Sequence, residues 1–568
     1  MLNYKRYKRN PVINYPERKW PERQIEKAPV WVSVDLRDGN QALVEPMVVS
    51  EKIEMFRKLV EIGFKEIEIG FPASSQIEYD FLRELVDKNL IPSDVTIQVL
   101  SQCREDQIAR TFEAIQGIPQ AIVHIYNSTS VLQRDVVFNK SKEEIKQLAV
   151  DGTLMVKQRA ESFPGKIVLE YSPESFTGTE PEYACEVCNA VTEAWGATPD
   201  NKVIINLPAT VEMTTPNVYA DIIEWENEHL SRRDSVILSV HPHNDRGTGV
   251  AATELAMLAG AERVEGTLFG NGERTGNVDL LNIAYNMFSQ GIDPELNIEN
   301  VNDIIDMYEK CTKMKIDPRH PYAGKLVFTA FSGSHQDAIS KGIKAMMERH
   351  PDTWEVPYLT IDPADIGREY EPIVRINSQS GKGGVAFIMD SYFGFKLPKG
   401  MHKEFANVIQ SISEKQGEVS PKEIMEAFRE AYLSKKEPIH FRKLQVLDLS
   451  DDTDTEHDTQ VTVQYTDHGL PKEFTATGNG PIDAVKRGLS EELGINIKIV
   501  DYEEHALTGG SNAQAAAYIH MLSVDDNHIT YGAGVSSNIT RASVRAMFSA
   551  VNRLFGERFD AEHSRQNQ

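Results

Sequence analysis

The sequence predicts an α/β chain: a (β/α)8 TIM barrel, then a helical linker region, then a C-terminal α+β domain. Three observations carry that prediction. Eight short runs rich in valine and isoleucine lie between residues 30 and 269. Amphipathic stretches such as SEKIEMFRKLVEIG and GVAATELAMLAGA fill the intervals, as the helix of a strand–helix–loop unit does. After about residue 325 this rhythm stops.

The runs are VWVSVDL (30–36), EIEIGF (66–71), VTIQVLS (95–101), AIVHIYN (121–127), KIVLEYS (166–172), KVIINLP (202–208), SVILSVH (235–241) and RVEGTLF (263–269). They read as apolar on both faces, like strands of a covered parallel sheet. Eight such units in unbroken series point to a closed barrel. An open doubly wound sheet would more often carry a GxGxxG turn after its first strand, and DLRDGNQ is not one.

The barrel is assigned to residues 30–325, after an arm over 1–29. The arm is basic, with Lys5, Arg6, Lys8, Arg9, Arg18, Lys19, Arg23 and Lys27. Its prolines 11, 16 and 21 and its lack of an apolar stretch speak against a secretory signal. An extended arm lying on an acidic body suits it better. A linker region follows over 326–438, where short helices alternate with the turns FSGSHQ, DPADIG and SQSGKGG. The last domain, 439–568, pairs the strands QVTVQYT, INIKIVDYEEHAL and AAAYIHMLSV with the helices IDAVKRGLSEEL and ITRASVRAMFSAVNRLF. The acidic DLSDDTDTEHD (448–458) reads as a loop.

Bulk composition excludes several classes. A chain of 568 residues is too long for one ordinary core. Its 40% hydrophobic and 26% charged residues are the balance of a soluble globular protein. A net charge of -25, from 60 Lys+Arg against 85 Asp+Glu, argues against nucleic acid or an anionic membrane as partner. No apolar run reaches the length of a membrane span. Four cysteines make no disulfide framework, so a cytoplasmic location is expected. Cys185 and Cys188 form a lone CxxC on a helix, where packing explains them better than metal or redox chemistry.

Barrel active sites lie where the strands end. After the first strand come Arg37, Asp38, Gly39, Asn40 and Gln41; at the end of the seventh stand His241, Pro242 and His243. Residues i and i+2 of an extended chain point the same way. His241 and His243 therefore face one spot, and Asp38 supplies a carboxylate from another strand end. Two imidazoles and one carboxylate suit a divalent ion with positions left for water and substrate. Asn277, in FGNGERTGN after the eighth strand, either completes that shell or orients a water. His124 and Tyr126, Ser172 and Glu174, and Thr210 stand at successive strand ends. These types hold a carboxylate or keto oxygen and move protons.

These stretches resemble the acetyl-CoA-dependent condensing enzymes, in particular the 2-isopropylmalate synthase family in its longer form with a regulatory tail. DLRDGNQAL, EIEIGFPASS, VHIYNSTS, EYSPESFTGTE, NLPATVEMTTPN and HPHNDRGTGVAATELAMLAGAERVEGTLFGNGERTGN carry the likeness. It continues through GSHQDAI and INSQSGKGG to GGSNAQAAAYIHM and AGVSSNITRASVRAMFSAVNRL. The resemblance implies condensation of acetyl-CoA with 3-methyl-2-oxobutanoate and water, giving 2-isopropylmalate and CoA. It implies a divalent metal, Mg2+ first with Mn2+ or Zn2+ as substitutes, held by Asp38, His241 and His243 with Asn277 alongside, and potassium as an activator. Arg37 would stabilise the enolate or keto oxygen. His124, Ser172 and Thr210 would contact the 2-oxo acid with Tyr126 nearby, and Leu100 would shape its side-chain pocket. Glu174 and His335 are both candidates for the base. His335 and Tyr370 resemble linker residues that reach a neighbouring subunit's active site. A homodimer is implied, with leucine as feedback inhibitor in the C-terminal domain. There Gly509, Gly510, Ala513 and Ala516 allow the close backbone approach that either a small apolar pocket or plain helix-to-sheet packing requires. Homocitrate or citramalate synthase is the alternative, with the same mechanism and a different 2-oxo acid.

Overall fold

The computed structural model describes residues 6, 12–330, 332–370, 382–416, 419–433, 435–449, 459–507 and 513–566. Eight parallel strands close into a barrel in sequence order. They are β1 (Val30–Ser33), β2 (Glu66–Glu68), β3 (Thr96–Gln102), β4 (Gln120–Ser128), β5 (Lys166–Glu174), β6 (Val203–Ala209), β7 (Val236–Pro242) and β8 (Arg263–Gly266). Each overlaps one of the eight runs. A helix follows each strand: α1 (Val49–Ile62), α2 (Gln76–Asp87), α3 (Glu105–Ala114), α4 (Lys142–Ala160), α5 (Pro181–Trp195), α6 (Pro216–His229), α7 (Gly249–Leu258) and α8 (Leu280–Ser289). β1 pairs with both β2 and β8, which closes the ring.

Two features differ from expectation. The first strand stops at Ser33, and Asp35–Gly39 forms a wide helical turn instead. Asp35 is buried there and accepts the Leu268 N–H at 3.1 Å, which ties the turn to the end of β8. The strands are also not apolar on both faces. Glu68, Gln98, Glu170, Asn206, Arg263 and Glu265 are buried polar groups joined across the barrel lumen. A Val/Ile-rich run hides such residues because only alternate side chains point inward.

The arm's described part lies on the acidic face of α6. The Trp20 indole donates to Asp221 at 2.8 Å, and the Lys19 N–H donates to Glu224 at 2.7 Å. Arg18 and Arg23 pair with Asp221 and Glu224. On α5, Cys185 and Cys188 are free and buried, and burial pushes both thiols up, to about 12 for Cys185. A thiol in that state is a packing group.

Two compact units make up the chain, Met1–Phe328 with Thr360–Glu369, and Thr329–Leu359 with Tyr370–Gln568. The first also holds α9 (Val301–Thr312). In the second, α10 (Gly333–Arg349), α11 (Lys382–Phe393) and α12 (Lys399–Gln416) are longer than the short helices expected, α12 reaching 18 residues, whereas α13 (Pro421–Phe428) is short. Two three-stranded antiparallel sheets follow: β9 (Ile439–Asp448), β10 (Thr459–Asp467) and β11 (Leu470–Gly478), then β12 (Ile497–Ala506), β13 (Ala515–Ser523) and β14 (His528–Ser536). Helices α14 (Pro481–Glu492) and α15 (Ile539–Gln566) complete it. β13 is central and buried on both faces. Ala517, Ile519 and Met521 share a core with α14 and α15, while Ala516 and Tyr518 share one with α11, α12 and α13. β14 lies directly on the α15 backbone. A Cβ at Gly534 would stand 2.1 Å from the Ala542 carbonyl, and one at Gly532 would stand 2.1 Å from that of Ala546. No helix among the described residues is long and apolar enough to cross a membrane.

Candidate active site

The turn after β1, the end of β7 and the loop after β8 meet at the C-terminal mouth of the barrel. His241 Nε2 lies 3.0 Å from Asp38 Oδ2, and His243 Nε2 lies 3.7 Å from the same oxygen. All three residues are buried, and their donor atoms lie within 4.8 Å of one another. His241 Nδ1 donates to Glu265 at 2.7 Å, which fixes the ring so that Nε2 faces Asp38; that nitrogen would become a ligand on giving up its proton to an incoming cation. Asn277 places its amide nitrogen 3.0 Å from both Asp38 Oδ2 and His241 Nε2, while its Oδ1 is buried without a partner. Turning that amide would add its oxygen to the group as a fourth donor. The glycines of FGNGERTGN make this position reachable. Gly276 has φ +95°, and a Cβ at Gly272 would stand 2.0 Å from Asn277 Oδ1. A carboxylate oxygen, two imidazole nitrogens and an orphaned amide oxygen converging in a buried spot fit a divalent metal.

The electrostatics agree. Burial pushes Asp38 up, but Arg37 and His241 outweigh it and hold the carboxyl far below the usual range. Burial favours neutral His241, yet its bonds to Asp38 and Glu265 raise it to about 9. Burial, and then the charge of His241, lower His243 to about 3, so it stands ready as a neutral ligand. A second group, Glu68, His124 and Glu265, also has ligand spacing. The Gln98 amide fills it, donating to both carboxylates, and Arg263 donates to Glu265. It is a hydrogen-bonded cluster and not a cation site.

Arg37 lies against Asp38 and Glu68, both as short ion pairs. Glu68 Oε2 accepts from His124 Nδ1 at 2.9 Å, and His124 Nε2 lies 2.7 Å from Ser172 Oγ. The Asn206 amide also donates to Ser172, at 3.0 Å. Leu100 pairs with His124, and Tyr126 with Ser172, across adjacent strands. Glu174 ends β5 and accepts the Ser128 hydroxyl. The Thr210 hydroxyl accepts the Ser175 N–H at 2.9 Å. A pocket of about 830 Å³ opens beside Arg37, lined also by Gln41, Lys52, Phe71 and Ser75.

Residues 28–307 match the HMGL-like family, 325–390 match the post-catalytic domain-like region of alpha-isopropylmalate synthase, and 418–555 match the LeuA allosteric (dimerisation) domain. A 2-isopropylmalate synthase of Clostridium acetobutylicum is 54% identical over 97% of this chain and 99% of its own length. One of Rhizobium johnstonii is 53% identical over 97% and 98%. The chain belongs to the 2-isopropylmalate synthase family. It is an enzyme of that reaction, an acyltransferase that joins the acetyl group of acetyl-CoA to 3-methyl-2-oxobutanoate, and its allosteric domain fits leucine regulation. Among solved structures, a hydroxymethylglutaryl-CoA lyase from Pseudomonas aeruginosa is 20% identical, with a TM-score of 0.41 over 50% of this chain and 92% of that one.

The other expected residues lie in the second unit. His335 is exposed on α10 and stacks on Tyr358 with ring centroids 4.1 Å apart. Tyr370 is half-buried, with its hydroxyl lacking a partner among the described residues. Ala516 is buried against the linker helices, and Ala513 is half-buried. Gly509 and Gly510 lie outside the described residues, as do 371–381, which include most of INSQSGKGG, and 450–458 of the acidic loop. Sequence reasoning missed Glu68, Gln98, Glu170, Arg263 and Glu265. The signal was present: a charged or amide residue at an inward position of four separate strands.

Proposed function

We propose that the mouth of the barrel binds 3-methyl-2-oxobutanoate on a Mg2+ ion held by Asp38, His241 and His243, with Asn277 alongside. The observation that carries this is the convergence of those donors beside Arg37. When bound, the ion supplies Lewis acidity to the keto group and needs no protein proton for it. Ser172 and Thr210 contact the 2-oxo acid, Ser172 on the side of its keto oxygen, with His124 behind Ser172 and Tyr126 beside it. Leu100 bounds the branched side chain. Acetyl-CoA presents its acetyl group through the pocket lined by Gln41, Lys52 and Phe71. The Arg37 guanidinium, fixed by Glu68 and Asp38, offsets enolate and then alkoxide charge. Glu174 or His335 removes the methyl proton. Water then hydrolyses the thioester and releases CoA.

We infer further that the enzyme is a homodimer acting in the cytoplasm. The exposed apolar residues Val131, Leu132, Val136, Val137 and Phe138, in the loop after β4, support a covered rim. Free thiols suit a reducing compartment. His335 and Tyr370 then serve the partner's mouth, and leucine binds near Ala513 and Ala516 together with Gly509 and Gly510. Mg2+ over Mn2+ or Zn2+, and activation by potassium, rest on the resemblance alone. The test is thiol release from acetyl-CoA with 3-methyl-2-oxobutanoate, pyruvate, 2-oxobutanoate or 2-oxoglutarate, across metals and with leucine added. Preference for the branched acid, lost with a chelator, is expected. Preference for 2-oxoglutarate or pyruvate would move the assignment to homocitrate or citramalate synthesis.

A further inference from the structure

Three carboxyls, Glu68, Glu170 and Glu265, are fully buried in the barrel lumen. Their hydrogen-bond donors are shared unequally. Glu68 receives Arg37, Gln98 and His124. Glu265 receives Arg263, Gln98, Asn206 and His241. Neither oxygen of Glu170 accepts a hydrogen bond. Around it lie Arg263 Nη2, 3.2 Å from Oε2, His124 Nε2, 3.5 Å from Oε1, and the Glu265 carboxyl, which is within hydrogen-bonding reach of a proton on Glu170.

A carboxylate removed from water and given no donor keeps its proton. The groups facing Glu170 reinforce this. Burial pushes its carboxyl well up, Arg263 opposes that, and the negative charges of Glu265 on β8 and Glu68 on β2 push it further. His124 on β4 is the one titratable group beside it that also touches Ser172.

We propose that Glu170 is a positioning residue that holds a proton in the folded enzyme and lends it to His124. This rests on the assignment of Ser172 and His124 to the 2-oxo acid. His124 Nδ1–H donates to Glu68, so Nε2 carries the lone pair. The O–H bond of Glu170 breaks and an N–H bond forms at Nε2. That N–H donates to Ser172 Oγ, which frees the serine hydroxyl to donate to the alkoxide. As the alkoxide takes the hydroxyl proton, the Nε2 proton passes to Oγ. One proton has then moved from Glu170 to product. Hydrolysis of the thioester liberates one proton, which restores Glu170.

Full-length enzyme with its metal is compared as wild type and Glu170→Gln, which keeps the shape of the neutral acid but cannot lend a proton. Infrared difference spectra are recorded with and without 3-methyl-2-oxobutanoate. A protonated-carboxyl C=O band that responds to the 2-oxo acid in wild type and is missing in the variant is expected. So are a kcat lowered about tenfold or more, a KM for the 2-oxo acid within about twofold, and an altered pH profile of kcat. An unresponsive or absent band, or an unchanged kcat and pH profile, overturns the proposal. If the variant does not fold, the response of the band in wild-type enzyme carrying 13C-labelled glutamate decides instead. Full kcat in both Ser172→Ala and His124→Ala would overturn the underlying assignment and not this inference alone.

Discussion

Inward-facing positions are used in opposite ways by the barrel and by the sheet of the second unit. β2, β3, β5 and β8 send Glu68, Gln98, Glu170, Arg263 and Glu265 into a closed lumen, whereas β13 sends Ala517, Ile519 and Met521 to one apolar core and Ala516 and Tyr518 to another. Burying charge is a weak source of stability, because desolvation offsets most of the attraction. Burying apolar area is a strong one. The barrel therefore spends its lumen on aligning Arg37, His124 and His241, and its shell on staying folded. Substitutions in the lumen should act on rate, and substitutions around β13 on folding.

The largest effect is expected at His241. His241→Ala removes a proposed metal ligand but leaves Glu265 with Arg263, Gln98 and Asn206 as donors. Turnover should fall about 10³-fold or more, roughly 4 kcal/mol in activation free energy, with Mn2+ binding lost by calorimetry. The melting temperature should move by only a few degrees. A collapse of the fold would break the comparison, since the lumen would then be structural.

Gly534→Ala is the converse. The added Cβ meets the Ala542 carbonyl and the Ala546 nitrogen, both backbone atoms that cannot turn aside. The second unit should lose its cooperative unfolding transition in calorimetry, at a cost of about 3 kcal/mol or more. Ile519→Ala is milder. It opens a cavity under α15 and should cost about 2–5 kcal/mol. Urea melts that place Ile519→Ala within error of wild type would show the β13 core to be loosely packed.

The sequence disclosed these two regions unevenly, for physical reasons. All eight barrel strands were legible because a covered parallel strand is a short, dense Val/Ile run. HPH and DLRDG stood out because two histidines and a carboxylate with ligand spacing fall at strand ends, and the fold brings them together. β9, β11 and β14 were not. β9 and β11 are largely exposed on one or both faces and carry charges, and β14 alternates glycines that exist to meet α15. Glu68 and Glu265 sat in plain view within EIEIGF and RVEGTLF. They were passed over within runs read as apolar on both faces, because a single sequence does not say which face of a strand looks into the lumen.

The smallest expected effect lies on the solvent side of the second unit. His468 Nδ1 lies 2.7 Å from Asp467, and Nε2 lies 3.0 Å from Asp560 near the end of α15. Burial is the largest single influence and lowers the imidazole, but the two carboxylates together outweigh it, so its folded value lies above the usual 6.5. Folding therefore binds a proton more tightly. The stabilisation is fully present below about pH 6.5 and is lost as pH rises through the folded value. With the histidine near the surface, solvent screening keeps it to well under ~1 kcal/mol. Wild type and His468→Gln should differ in melting temperature at pH 6 and converge at pH 9. An equal gap at both values would mean that the stack of His468 on His563, at 3.9 Å, matters through packing alone. A gap that closes would sharpen the contrast with the lumen, where carboxylates of the same kind are shut away from solvent.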